Sequence, residues 1–183
     1  RDLHVTEHSF PTRRSSDPAA ITALGALAGF MPGSAPVRIL RYEVWEFEAE
    51  CDRDSIVRTV DRYPDILNPN KQRGAFLDAE LPPVAGDGLV WAGVRVVDNS
   101  SGASEGWTSL LRKAGTGISS VKLSVLWMLG YPPGTSAADA ERMAGETAVA
   151  VGRTRGLLAN PVSQAASIVL MDGSSGSDTV SGV

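Results

Sequence analysis

Two pentapeptides frame this chain: Asn68-Pro-Asn-Lys-Gln72 and Asn160-Pro-Val-Ser-Gln164. The residue before a proline is biased away from helix, and Asn favours turns. Each pentapeptide therefore reads as a corner leading into a last strand. The stretches before the two corners also align. Ala19–Phe30 corresponds to Ala103–Ala114, and Val37-Arg-Ile39 to Val121-Lys-Leu123. Such a chain is expected to fold as two diverged copies of one α/β unit.

Local patterning supplies the elements. In the first copy, Ile21, Leu24, Leu27 and Ala28 recur at helical spacing, and Met31-Pro-Gly33 ends the run. Val37 to Glu48 is β-branched and aromatic, a long strand. Asp52 can cap a short helix carrying Ile56, Val57 and Val60, which Pro64 ends. A strand is expected from Gln72 to Leu81, before a linker rich in Pro and Gly. The second copy runs strand (Val90–Asp98), turn (Asn99–Gly102), helix (Ala103–Ala114) and strand (Val121–Tyr131). Ser136 with Asp139 then forms a capping box for a helix fading near 152–156, and a strand follows from Gln164 to Met171.

The first seventeen residues stand apart. His8-Ser-Phe-Pro-Thr-Arg-Arg-Ser-Ser-Asp17, with Arg1-Asp-Leu-His4 ahead of it, resembles a translated sequencing adapter. This makes residues 1–17 a non-native scar, expected to be disordered. It leaves the first unit, residues 18–82, without the opening strand that the second copy has at Val90–Asp98. An exposed sheet edge would make that unit the less stable one. A linker at 83–89, a second unit at 90–172 and a flexible tail at 173–183 complete the expected organisation.

The long strands constrain the packing. Tyr42, Val44, Trp45 and Phe47 in one copy, and Leu126, Trp127, Met128 and Leu129 in the other, are apolar on both faces. A strand with one solvated face alternates. The expectation is that the two copies pack sheet to sheet; a phase-switching bulge is the alternative. The fold class is α+β: tandem ferredoxin-like units, the long middle strand acting as two, with antiparallel sheets packed as a pseudo-dimer. Right-handed crossovers would put each unit's helices on one sheet face.

Composition narrows the chemistry. A net charge of −4 with scattered basic residues argues against nucleic acid as a partner. No apolar run reaches the roughly 20 residues of a membrane span. The single cysteine, Cys51, rules out an internal disulfide and points to a reducing cytoplasm. Both histidines, His4 and His8, lie in the adapter-like segment, so residues from Pro18 onward offer none for a catalytic triad or a His/Cys metal site. Cys51 lies between Glu50 and Asp52, a setting that raises a thiol pKa. Glu43, Glu46, Glu48 and Glu50 could hold a hard cation, but a solvated strand face is the simpler reading. Gly102 at a helix start could receive a phosphate. The expected catalytic, cofactor-binding and metal residues are none.

Several segments resemble one family, the small subunit of phosphoribosylformylglycinamidine synthase, PurS. They are Val37-Arg-Ile39 with Tyr42, then Glu50 and Asp52-Arg-Asp54, Asp98 to Gly102 leading into a helix, and Leu157-Leu-Ala-Asn-Pro-Val162. The family's Gly-Lys is replaced here by Leu40-Arg41, and the proline of its Asp-Pro-x-Gly helix start is missing. The resemblance spans nearly all of residues 18–172, as two consecutive copies. It implies a non-catalytic assembly component of de novo purine biosynthesis, either a PurS-like subunit or the PurS-like N-terminal domain of a single-chain enzyme, with no cofactor of its own. Its partners would be the ATP-using synthetase and the glutaminase of an amidotransferase-coupled ligase. Two alternatives share the layer architecture. An ACT-like regulatory module would show a polar, glycine-lined cleft between the copies. A tandem dimeric-barrel enzyme would enclose a cavity with convergent titratable groups.

Overall fold

The structure, a computed structural model, describes residues 6–14, 17–77, 82, 84, 86–149 and 156–170. In chain order the elements are β1 (Thr6–Arg14), α1 (Pro18–Phe30), β2 (Arg38–Ala49), α2 (Arg53–Arg62) and β3 (Gln72–Gly74), followed by β4 (Val90–Asp98), α3 (Gly102–Lys113), β5 (Ile118–Tyr131), α4 (Ala137–Ala148) and β6 (Gln164–Leu170). The fold is α+β: four helices and one six-stranded antiparallel sheet in the order β3-β1-β2-β5-β4-β6. That order is palindromic, since each half reads last, first, middle from its outer edge. A pseudo-two-fold axis therefore runs between β2 and β5.

The corners that frame the sequence also match atom for atom. The Asn68 N–H donates to Gln72 Oε1 at 2.8 Å, and the Asn160 N–H to Gln164 Oε1 at 2.9 Å. Asn68 Oδ1 accepts from the Asn70 N–H at 3.1 Å, and Asn160 Oδ1 from the Val162 N–H at 3.0 Å. Each Gln N–H returns to its Asn carbonyl, at 2.7 and 2.8 Å. The Asn and Gln side chains thus satisfy the backbone groups that the proline turn leaves unpaired.

Several expectations are corrected. First, the adapter-like segment is not disordered where it is described. Residues 6–14 form β1, and the first unit has its opening strand, at the same sequence offset from β4 as α1 is from α3. Phe10 and Thr12 are buried between β2 and β3. The anticipated open edge of the first unit is therefore filled. Second, the copies do not pack sheet to sheet. β2 and β5 pair edge to edge from Arg38↔Gly130 to Ala49↔Ile118, joining both copies in one sheet. Third, neither long strand folds back to serve as two; each continues unbroken past the end of its own copy's first strand. The expected strand to Leu81 is shorter, with β3 ending at Gly74 and one further bridge, Ser9↔Leu77. The fourth helix ends earlier than the expected fading near 152–156: it stops at Ala148, and Val149 is extended and bridged to Ala159. Residues 150–155 and 171–183, the expected tail at 173–183 among them, lie outside the described residues.

The apolar character of both strand faces has a direct cause. Odd-numbered residues of β2 and β5, such as Ile39, Trp45, Phe47, Val121 and Leu129, face the helices. α1 and α4 cover one core with β4 and the end of β5, while α2 and α3 cover the other with β1, β2 and the start of β5. Each core thus takes one helix from each copy. Even-numbered Tyr42, Val44, Leu126 and Met128 face the opposite side with Trp91, and Val84 and Leu89 of the linker lie against them. Gly130 allows that approach: a Cβ there would meet both Leu89 and Trp91 at 3.0 Å. The register shift in this ladder falls at Glu48/Ala49, beyond the doubly apolar stretch, so a phase switch does not explain it.

Tyr131, at the end of β5 against α4, is buried, and burial pushes its phenol up to about 12. In the unfolded chain it ionises near 10. The neutral form is thus favoured in the fold, and stability is intact below pH 10 and lost as pH rises toward about 12. The free energy of unfolding in urea should fall across that window by an amount on the order of 2 kcal/mol. Tyr131→Phe should remove that part of the decline.

Candidate functional site

With the helices on one face, the other face of the sheet is the place where a partner or ligand could meet the strands. Its two ends differ. At one end the linker closes it: Asp87 accepts from Arg38 Nη1 at 2.8 Å and from Trp91 Nε1 at 3.3 Å, fixing the segment that carries Leu89. At the other end the face is open, forming a groove of about 630 Å³. Its walls carry Glu7, Glu46, Glu48, Arg95 and Lys122, with Leu77 at the rim.

The strand register brings these charges together. Glu46 of β2 lies opposite Lys122 of β5, and Arg95 of β4 lies opposite Leu126 two strands from β2. Arg95 reaches across β5 to pair with Glu46. Lys122 Nζ lies 3.0 Å from Glu48 and 3.5 Å from Glu7. The hydrogen bond from Lys122 to Glu48, and the carboxylates around it, hold its ammonium above the usual lysine range. The groove therefore presents three carboxylates ion-paired with two cations, one negative charge in excess. The Ser9 and Ser124 hydroxyls, also on this face, are buried without a partner among the described residues.

The acidic run singled out in the sequence is divided by the pleat. Glu46 and Glu48 face the groove, whereas Glu43 lies on the helix side, where Arg41 is 3.2 Å away and the Gln72 amide donates to it at 3.4 Å. Among the described residues no group of three or more metal-ligating side chains converges. At the start of α3, Ser101 hydrogen-bonds the Glu105 carboxylate. A negative group already occupies the turn that Gly102 would offer a phosphate. The Cys51 thiol is raised, first by burial and then by Asp52; the direction matches the sequence reading, while the larger cause is burial. His8, the one described histidine, is buried, and burial followed by Arg53 lowers its pKa.

The seam between the copies is mainly an apolar ladder, with Ile39↔Leu129, Tyr42↔Leu126, Trp45↔Leu123 and Phe47↔Val121, and not a polar glycine-lined cleft. Sequence reasoning missed Arg95 and Lys122. Their signal was present: each is the single basic residue of its strand. No helix among the described residues is long and apolar enough to cross a membrane. No family model, curated protein or solved structure matches the chain.

Proposed function

We propose that this chain is a non-catalytic assembly component of the PurS type, a covalent pseudo-dimer serving phosphoribosylformylglycinamidine synthase in the cytoplasm. The observation that carries the reading is the palindromic sheet, in which two βαβαβ halves share the β2–β5 ladder and end on the same Asn-Pro…Gln corner. That is the arrangement a fused dimer of one small subunit would take, and it supports the tandem reading of the resemblance. A sequence without histidine from Pro18 onward fits a scaffold whose work is to hold an ATP-using synthetase beside a glutaminase.

In the same reading the adapter-like residues are a foreign sequence occupying the slot of a natural first strand. Arg14 is consistent with this. It lies opposite Gln72, where the second copy has Asp98 opposite Gln164. Asp98 accepts from the Gln164 amide at 2.8 Å, whereas Gln72 must turn to Glu43 at 3.4 Å.

Co-purification with the synthetase and glutaminase components tests the proposal. Stable association with at least one is expected, and failure to bind either sinks it. The open groove is the observation that favours the alternative of a small-molecule module. Ligand-induced thermal stabilisation, without association to either component, would support that alternative.

A further inference from the structure

The two outer edges of the sheet are unequal. β3 is three residues long and carries Arg73. It stops where Pro11 of β1 offers no N–H. Leu77 donates to the Ser9 carbonyl at 2.9 Å, so odd residues of β1 bond toward β3, and Pro11 falls opposite Ala75. Such an edge is short, charged and interrupted, three ordinary defences against further pairing. β6 at the other edge has none of them. Its seven residues, Gln-Ala-Ala-Ser-Ile-Val-Leu, contain no charge, proline or glycine, and no described strand lies beyond it. Its pairing with β4 runs without a register shift.

The register states what that edge presents. Asn99 donates to the Ser163 carbonyl at 2.8 Å in line with the β4–β6 ladder, so odd residues of β6 bond to β4. The N–H and C=O groups of Ala166 and Ile168 then point outward, away from the sheet. Ala165 and Ser167 are exposed, and Ala166, Ile168 and Val169 are half-buried.

We infer that β6 is a docking edge for a second copy of this chain, with two β6 strands pairing antiparallel about a two-fold axis at Ser167. The strand is self-complementary in this register. Ala166 faces Ile168 of the other copy on the helix side, and Ala165 faces Val169 on the open side, a small residue against a branched one each time. Ala166 and Ile168 would exchange both backbone hydrogen bonds, leaving Ser167 opposite itself as a non-hydrogen-bonded pair. The chain already joins its own halves by an antiparallel edge across a pseudo-two-fold axis, at β2–β5. Among the described residues β6 is the long edge left without a defence; the inference applies the same device to it and does not depend on the proposed function.

Light scattering of the purified chain over a range of concentrations should show a rise from the mass of one chain to that of two. Ser167→Lys places like charges directly opposite each other and should weaken association at least about tenfold. Ser167→Glu, which faces Arg95 across the β4–β6 ladder, should likewise weaken association while keeping the parent's melting temperature at low concentration. In a Cys51→Ser background, mild oxidation of Ser167→Cys should give a cross-linked pair, since non-hydrogen-bonded partners sit about 4.5 Å apart at Cα. Ala165→Cys, equally exposed but opposite Val169, should cross-link far less. A one-chain mass at every concentration, an unaffected Ser167→Lys variant, or equal cross-linking of the two cysteine variants would overturn the inference.

Discussion

Removing residues 1–14 should abolish the cooperative unfolding of this chain, read as loss of the near-ultraviolet circular dichroism signal and of a sharp urea transition. The reason is the position of β1. It pairs with β2 from Thr6↔Ala49 to Thr12↔Glu43 and with β3 from Thr12↔Gly74 to Arg14↔Gln72. Without it, β3 has no neighbour and the β2 edge is bare. Phe10, which packs edge-on against Phe76 with ring centroids 5.1 Å apart, also leaves the α2–α3 core. Truncating a buried phenylalanine alone costs about 3–5 kcal/mol, a large part of a domain's 5–15 kcal/mol. Replacing residues 6–14 by the sequence of Val90–Asp98 should restore the transition, because β1 and β4 hold equivalent slots. A deletion variant that melts within about 5 °C of the parent would show that β1 contributes little.

The second large effect is expected from two hydroxyls on α3. At its start β5 runs beyond the reach of β4, leaving the N–H groups of Val121 and Leu123 unpaired by any strand. Thr108 Oγ1 accepts from Val121 at 2.9 Å and Ser104 Oγ from Leu123 at 3.2 Å. The hydroxyls sit one helical turn apart and close the edge that the sheet leaves open. Ser104→Ala with Thr108→Val keeps most of the volume and removes both acceptors. The double variant should lose about 2–4 kcal/mol in urea unfolding, since each stranded backbone donor costs about 1–3 kcal/mol. The matching positions on α1 are Ala20 and Leu24. A loss below about 0.5 kcal/mol would mean that water replaces the hydroxyls at this edge.

How far the sequence reveals this fold depends on the kind of interaction. Caps and corners are local, and they were legible. Asp52 accepts from Ser55 N–H at 2.8 Å and Ser136 from Asp139 N–H at 3.0 Å, as their spacing implied. The doubly apolar runs correctly implied that both faces of β2 and β5 are covered. They could not say by what, because periodicity reports a face and not its neighbour. The second cover is a linker whose Val84 and Leu89 gave no periodic signal. β1 was missed because its likeness to a translated adapter set residues 1–17 aside as a disordered arm with little structural preference of its own. A slot between two waiting strands outweighs that weak local preference. The groove was hidden for the same reason, since Glu46, Arg95 and Lys122 come from three strands that only the register brings together.

The helices that cover each core come from opposite copies, and this sets the order in which the chain can fold. As the polypeptide leaves the ribosome, β2 emerges long before its partner β5. Meanwhile α1 has no α4 to pack against, and α2 has no α3. The first copy must wait, with an apolar strand edge exposed, until most of the second has been synthesised. Contacts so distant in sequence fold slowly and leave nascent chains prone to wrong pairing. A chain of this design depends on chaperone protection in proportion to the delay between its halves, and slowing translation after the linker should lower its soluble yield.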